Sequence, residues 1–185
     1  MPHPITISIL KNPIKNYAWG SKTAIAELTG IQNTKNEPQA ELWMGAHASA
    51  PSLLQWKEKE ISLFDLIHKK PDEVLGEKTA KRFSNKLPFL FKVLAAGAPL
   101  SIQVHPNITQ ARDGFHRDNA AKIPLDAPNR NYKDDNHKPE VICALTPFWA
   151  MRGFRKISAI LENLRRYNAQ SIKSEITLLE KNKSR

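Results

Sequence analysis

Short apolar stretches separated by turn residues occupy residues 1–56, a pattern typical of extended strands rather than long helices. Isoleucine alternates with Thr and Ser over Ile5–Ile9, and a period of two predicts a strand. Lys22–Thr29 is predicted to form a short helix that ends at Gly30. This part of the chain is therefore expected to consist of short extended pieces broken by turns.

Apolar residues adopt a helical period over residues 61–86. Ser62 is placed to cap the first helix, and Pro71 breaks the run into two parts. The apolar positions that repeat with this helical spacing are Leu63, Leu66, Ile67, Val74, Leu75, Ala80 and Phe83.

The pattern changes again after residue 86. Two apolar runs, Phe89–Leu94 and Leu100–Val104, predict strands, and a third strand is predicted over Glu140–Leu145. Between them lies the polar stretch Asn107–Asn136, and a structureless loop of that length is unusual in a compact domain. We therefore expect either a short helix near Thr109–Ala121 or a functional role for this stretch.

Helical spacing returns from about Lys156 onward. A composition shift near residue 150 predicts a domain boundary there, with one part over residues 1–150 and a helical part over residues 151–185. The apolar residues that carry the helical spacing are Ile157, Ile160, Leu161, Leu164, Ile176, Leu178 and Leu179.

Composition excludes several classes of protein. The 185 residues are 41% hydrophobic and 25% charged, which excludes collagen-like, coiled-coil and fully disordered chains. Cys143 is the single cysteine, so no disulfide forms within the chain and a reducing compartment is expected. The sequence shows neither a secretory signal nor an apolar run long enough to span a membrane, which predicts a cytoplasmic protein.

The net charge of +10 raises the question of a nucleic-acid partner. The excess is concentrated beyond residue 150, where nine Lys or Arg face three Glu. That segment carries few aromatic residues and no zinc-finger, helix-turn-helix or RNA-binding signature. A solvated helical face explains the same charges. We therefore expect no nucleic-acid partner, although a basic nucleic-acid-binding protein remains an alternative.

The segment Leu100–Pro106 holds the sharpest candidate for chemistry. On a strand, Ser101, Gln103 and His105 share one face and the apolar residues share the other. A Gln and a His two residues apart can bind one metal ion. The alternative is a solvated polar face, since Gln is an uncommon metal ligand.

Two further clusters are candidates. In Asn136–Glu140, Glu140 can supply a carboxylate oxygen to a metal and Lys138 can carry a proton, although a polar turn that enters a strand is the alternative. Ala40–His47 places Glu41 near His47 among bulky apolar residues, which fits either an active site or core and loop.

Taken together, six motifs resemble one family. The motifs appear in this order: YAWGS (Tyr17–Ser21), AELWMGAH (Ala40–His47), LPFLFKVL (Leu87–Leu94), PLSIQVHP (Pro99–Pro106), NYKDDNHKPE (Asn131–Glu140) and ALTPF (Ala144–Phe148). The chain closely resembles the type I mannose-6-phosphate isomerases, in particular the bacterial members. The resemblance runs from about Ile9 to Phe154.

The resemblance implies a fold and a chemistry. Members of the family have a catalytic part built as a cupin-like jelly-roll β-barrel, and they use zinc to interconvert mannose 6-phosphate and fructose 6-phosphate. Carried over motif by motif, the implied zinc ligands are Gln103, His105 and Glu140. The resemblance also implies that Lys138 is the active-site lysine and a candidate acid/base.

It further implies a substrate site. Glu41 and His47 match a motif near the pocket, and Lys92 and Ser101 match positions close to the substrate phosphate. The implied partner is thus a small sugar phosphate. The oligomeric state remains open.

Finally, the resemblance implies that the chain is a truncated form. Family members are much longer, and their fourth zinc ligand, a histidine, and an essential arginine lie further along the sequence. We therefore expect a mainly β fold with helices, in which an incomplete barrel over residues 1–150 is followed by the start of a helical insertion that includes Asn182–Arg185. An incomplete barrel leaves exposed strand edges. A catalytically inactive fragment that binds metal or sugar phosphate is the alternative to an active isomerase.

Overall fold

The computed structural model describes residues 7–167 and 170–181. It divides into two compact units, the first ending at Val104 and the second beginning at His105. The boundary expected near residue 150 falls inside the second unit. The predicted boundary concerns a different division, between a catalytic part and a helical part. It therefore stays a prediction.

The first unit combines short strands with short helices. Its strands form two open antiparallel sheets, one with the order β1-β2-β5 and one that is the hairpin β3-β4. The elements in chain order are β1 (Ile14–Lys15), α1 (Ala24–Thr29), β2 (Glu41–Met44), β3 (Leu53–Trp56), β4 (Lys59–Ser62), α2 (Leu63–Lys69), α3 (Pro71–Leu75), α4 (Glu77–Arg82) and β5 (Phe91–Leu94).

Local capping explains why the predicted helices of this unit form where they do. The Ser62 hydroxyl accepts a 3.0 Å hydrogen bond from the backbone N–H of Asp65 and so begins α2. Gly30 ends α1 with a left-handed backbone, φ 71°, a conformation that glycine adopts without steric cost. Pro71 begins α3 at its first position. The sequence prediction for these helices is confirmed.

Buried apolar side chains from α1, α2 and the strands form the core of the first unit. Ile25, Leu66 and Ile67 are almost completely buried, as is Leu54 on β3. Each such side chain contributes about 1.5–3 kcal/mol when it is fully removed from water. The central strand β2 is held on both sides, because Leu42 pairs with Ile14 and with Val93.

The regular secondary structure described in the second unit is all helical. Its elements are α5 (Ile108–Ala120), α6 (Ile157–Tyr167), a 3-10 turn (Gln170–Ile172) and α7 (Lys173–Lys181). Helices α6 and α7 pack together, with Arg165 paired to Glu180. The helices predicted near Thr109–Ala121 and beyond Lys156 are thus confirmed. Among the residues with described positions, we find no helix with the length and apolar character that crossing a bilayer requires.

Two predicted strands are wrong, because Leu100–Val104 and Glu140–Leu145 are irregular. Of the strand predicted over Ile5–Ile9, residues 7–9 are also irregular, and Ile5 and Thr6 lie outside the described residues. In each case no strand in residues 7–167 or 170–181 pairs with the segment. A strand requires a hydrogen-bonding partner as well as alternation. The apolar side chains therefore stay in solvent, with Val104 79% and Val141 99% exposed.

A buried arginine anchors the segment that follows α5. Arg130 is only 5% exposed, and its guanidinium donates to Asn119 Oδ1 at 2.7 Å and to the carbonyls of Ile123 and Tyr132. From the helix side, buried Asp118 accepts a 3.1 Å hydrogen bond from the Tyr132 N–H. These contacts fix residues 123–132 against the C-terminal half of α5.

Removing this anchor is expected to destabilise the second unit. Arg130→Met keeps the length of the side chain but leaves Asn119 Oδ1 and two carbonyls without their donor, at a cost of about 2–4 kcal/mol. Hydrogen exchange of the α5 amides measures the loss. Arg112→Met, an exposed change on the same helix, is the matched control. Equal protection of the two variants would contradict the anchoring role.

Candidate functional site

One face of the first unit's three-stranded sheet carries a buried carboxylate between two donors. Glu41 is 6% exposed. Its Oε2 accepts a 2.7 Å hydrogen bond from the Trp43 indole, and its Oε1 accepts a 3.0 Å hydrogen bond from Lys92 Nζ. The register explains the grouping: Glu41 and Trp43 are two residues apart on β2, and Lys92 lies opposite Trp43 on β5. All three side chains therefore lie on the same face.

Other side chains surround this group. Lys15 Nζ lies 4.8 Å from the centre of the Trp43 ring, and the His47 ring packs edge-on against Trp43 at 4.9 Å. The Nδ1 atom of His47 lies 2.9 Å from the Ser49 hydroxyl. Cationic, aromatic and carboxylate groups thus meet at one place in the first unit, a combination suited to an anionic or polar ligand.

The same cluster perturbs Tyr17. Partial burial raises the pKa of the Tyr17 hydroxyl, the Glu41 carboxylate raises it further and Lys92 opposes the shift. Tyr17 also stacks on Trp19, with the ring centres 5.7 Å apart. The aromatic turn Tyr17–Gly20 therefore lies beside the Glu41–Lys92 pair.

In the second unit, the structure brings together three predicted site residues. His105 Nε2 lies 3.4 Å from Glu140 Oε2, and Lys138 Nζ lies 3.4 Å from Glu140 Oε1. Glu140 thus contacts the imidazole with one oxygen and the ammonium with the other. All three side chains are partly open to solvent, with exposed fractions of 30% for His105, 49% for Glu140 and 57% for Lys138.

Helix α5 is the scaffold for this arrangement. Asn107 and Gln110 form a capping box that begins the helix two residues after His105. At the other end, the Arg130 anchor holds the chain that returns toward Glu140. Pro139 favours an extended backbone at Lys138, and the Asp134 side chain accepts a 2.8 Å hydrogen bond from the Asn136 N–H.

The donor types and spacing of His105 and Glu140 fit a zinc ion. Zinc takes imidazole nitrogen and carboxylate oxygen at about 2.0–2.2 Å in tetrahedral sites, which puts neighbouring donor atoms about 3.3–3.6 Å apart. The observed separation is 3.4 Å. Across residues 7–167 and 170–181, however, no group of three His, Cys, Asp or Glu side chains is placed to hold a metal ion. Among the described residues, the candidate metal ligands of these types are therefore two, His105 and Glu140.

The remaining predicted residues lie in the first unit. Ser101 and Gln103 are exposed and belong to an irregular segment, so the shared strand face expected for Ser101, Gln103 and His105 does not form. Among the described contacts, neither Ser101 nor Gln103 forms a hydrogen bond or an ion pair with Lys92. Their roles stay predictions.

Sequence reasoning missed the contacts that hold these side chains in place. The sequence indicates only a bulky apolar residue at Trp43, yet its indole N–H donates a hydrogen bond to the Glu41 carboxylate. Arg130 and Asp118 were not singled out, because an arginine within a polar run usually indicates a solvated loop. Gly114 was also overlooked: a Cβ there would lie 2.5 Å from the Tyr132 ring, and nothing local in the sequence indicates that contact.

Comparison with known proteins gives consistent matches. A family profile described as the catalytic domain of type I phosphomannose isomerase matches residues 7–157. The mannose-6-phosphate isomerase of Escherichia coli is 56% identical over 156 residues, covering 84% of this chain. The human mannose-6-phosphate isomerase is 37% identical over 162 residues, covering 83% of this chain and 36% of the human protein.

Solved structures give the same result. The mannose 6-phosphate isomerase of Salmonella typhimurium, described as bound to fructose 6-phosphate and zinc, is 54% identical with a TM-score of 0.79, and the match covers 85% of this chain and 40% of that one. A zinc-bound mannose 6-phosphate isomerase matches with the same identity of 54% and TM-score of 0.79. The chain spans 40% of the length of the Escherichia coli relative.

Proposed function

Because the chain belongs to the type I phosphomannose isomerase family, we propose that it carries part of a zinc-dependent isomerase that interconverts mannose 6-phosphate and fructose 6-phosphate. The observation that carries the proposal is the juxtaposition of His105, Glu140 and Lys138 in a chain that is 56% identical to an isomerase of this name. A metal-binding pair can stabilise the charge that develops on the sugar oxygens during aldose–ketose isomerisation, and an amine at the same place can carry a proton.

In this proposal, Gln103, His105 and Glu140 are zinc ligands. His105 and Glu140 have the spacing of donors to one ion, and Gln103 is assigned from its motif. Bound zinc supplies positive charge that stabilises the negative charge developing on the substrate oxygens. A further protein ligand or water completes the coordination of a catalytic zinc ion.

The chain's own residues supply proton transfer and binding. Isomerisation moves one proton between C1 and C2 of the sugar and another between their oxygens, through an enediol intermediate. We assign a proton-carrying role to Lys138 Nζ, which Glu140 holds at 3.4 Å. Lys92 and Ser101 are assigned to the substrate phosphate, and Glu41 to the same pocket.

The finer fold is also part of the proposal. Two open sheets and the exposed alternating residues of 100–104 support a cupin-like jelly-roll barrel that this chain supplies only in part. Unpaired strand edges of this kind accept further strands. We place the protein in the cytoplasm, with a sugar phosphate and no nucleic acid as its partner.

A coupled isomerase assay tests the proposed function. With mannose 6-phosphate as substrate, a form extended to the length of the family's members (the full-length form) is expected to produce fructose 6-phosphate. The 185-residue chain by itself is not expected to do so. Adding the remaining part of the family fold as a separate polypeptide is expected to restore turnover. A full-length form without isomerase activity, yet correctly folded, would contradict the proposal.

A second candidate is a catalytically inactive fragment that binds metal or sugar phosphate. It is favoured by the His105–Glu140 pair, which supplies two of the three protein ligands that catalytic zinc sites usually have. This candidate predicts that the chain binds zinc or phosphate. It also predicts that adding the remaining part of the family fold as a separate polypeptide does not produce turnover.

A further inference from the structure

Both oxygens of the Glu41 carboxylate accept hydrogen bonds from protein donors. One oxygen accepts from the Trp43 indole at 2.7 Å and the other from Lys92 Nζ at 3.0 Å. The side chain is 8% exposed. Each oxygen could accept a second hydrogen bond, but a side chain that is 8% exposed offers a sugar hydroxyl little access.

Lys92 differs in its exposure. Its side chain is 27% exposed, so the ammonium group is partly open to solvent while one of its three donors is held by Glu41. A lysine has four rotatable bonds and loses considerable rotamer entropy when it is fixed. Holding Nζ before a ligand arrives reduces the cost of binding an anion.

The Trp43 indole fixes the carboxylate in turn. Trp43 is buried at 9% exposure, and both Lys15 and His47 contact its ring, which limits its movement. The indole N–H therefore comes from a side chain that is itself locked. Trp43, Glu41 and Lys92 form one chain of contacts from the buried part of the sheet to the surface.

We propose that Glu41 is a positioning residue: anchored by Trp43, it orients Lys92 toward the phosphate of the substrate and does not contact the substrate itself. The inference rests on the proposed function for the identity of the anion and gives Glu41 a role different from a direct substrate ligand. It assigns to Trp43 a role in phosphate recognition that acts through two other side chains.

A charge-conserving substitution tests this role. Glu41→Asp keeps the negative charge but retracts the carboxylate by one methylene, so it no longer spans Trp43 Nε1 and Lys92 Nζ. In a full-length form, KM for mannose 6-phosphate is expected to rise about tenfold with kcat within about threefold. Glu37→Asp, an exposed change in the same unit, is the matched control and is expected to leave both constants unchanged.

A double-mutant cycle separates positioning from direct contact. If Glu41 acts through Lys92, Glu41→Asp has no further effect on KM once Lys92→Met is present. If Glu41 contacts the substrate itself, the two effects multiply, and that result would overturn the inference. Trp43→Phe keeps the ring but removes the indole donor, and it is expected to raise KM in the same direction by a smaller factor.

Binding of inorganic phosphate distinguishes failure of this inference from failure of the proposed function. Calorimetry on the 185-residue chain is expected to show weaker phosphate binding for Glu41→Asp and Lys92→Met, with no additional loss in the double variant. If the full-length form lacks isomerase activity but phosphate binding follows this pattern, positioning holds and the proposed function fails. Phosphate binding that is unaffected by Glu41→Asp would overturn the positioning role.

Discussion

Replacing His105 with alanine in a full-length form is expected to remove bound zinc and to lower isomerase turnover by about a thousandfold or more. The physical reason is the loss of a nitrogen donor that lies 3.4 Å from Glu140 Oε2. Removing even an outer-shell partner of a metal ligand costs about 10–100-fold in metal affinity, and removal of a direct ligand is expected to cost more. Metal analysis of the purified variant and the coupled assay measure the two effects.

His116→Ala is the matched control for this experiment. His116 is an exposed histidine on α5, so its loss is expected to leave zinc content and turnover as they are in the unsubstituted protein. Expression and thermal stability of His105→Ala are expected to stay close to normal, because His105 contributes little to the core. Unchanged zinc content in His105→Ala would refute its assignment as a ligand.

Replacing Lys138 with methionine is expected to reduce kcat by about 10²–10⁴-fold while zinc occupancy stays within about twofold. Positioned general acid–base groups contribute factors of this size, and methionine keeps the length of the side chain but cannot carry a proton. Lys138 contacts Glu140 Oε1, whereas His105 contacts Oε2. The two substitutions therefore separate proton transfer from metal binding.

Lys133→Met, an exposed change seven residues before Glu140 in the same segment, controls for the loss of one positive charge. Its turnover is expected to match that of the unsubstituted form. Should Lys138→Met retain activity within a few-fold of normal, Lys138 would not be the proton carrier and that role would have to belong to another group.

The helices were predictable because their signals are local. Ser62, Gly30 and the Asn107–Gln110 capping box each satisfy backbone groups within a few residues, so the sequence contains both partners of each contact. Helix α5 therefore forms one residue away from the predicted bounds. The same reasoning explains why Pro71 separates two helices.

The strands were less predictable because pairing is not local. Leu100–Val104 and Glu140–Leu145 have suitable residues but no hydrogen-bonded partner among the described ones. The hairpin β3-β4 was missed for a different reason. Its turn residues, Lys57 and Glu58, adopt positive φ of 47° and 66°, whereas hairpin turns of this kind usually contain Asn or Gly.

In the candidate site too, some features could be predicted from the sequence and others depend on the tertiary structure. The family resemblance supplied His105, Glu140 and Lys138, and the structure places them in contact. The contacts that hold Glu41 and Lys92, and the Arg130 anchor behind Glu140, depend on strand register and on tertiary burial. No motif encodes such contacts, so sequence reasoning had no means of finding them.

Metal content measured by mass spectrometry on the purified protein decides whether His105 and Glu140 are ligands of one zinc ion. We expect about one zinc per full-length chain, its loss in His105→Ala and in Glu140→Ala, and its retention in His116→Ala. Zinc bound equally by all four proteins, or absent from the folded unsubstituted form in the presence of excess zinc, would contradict this assignment.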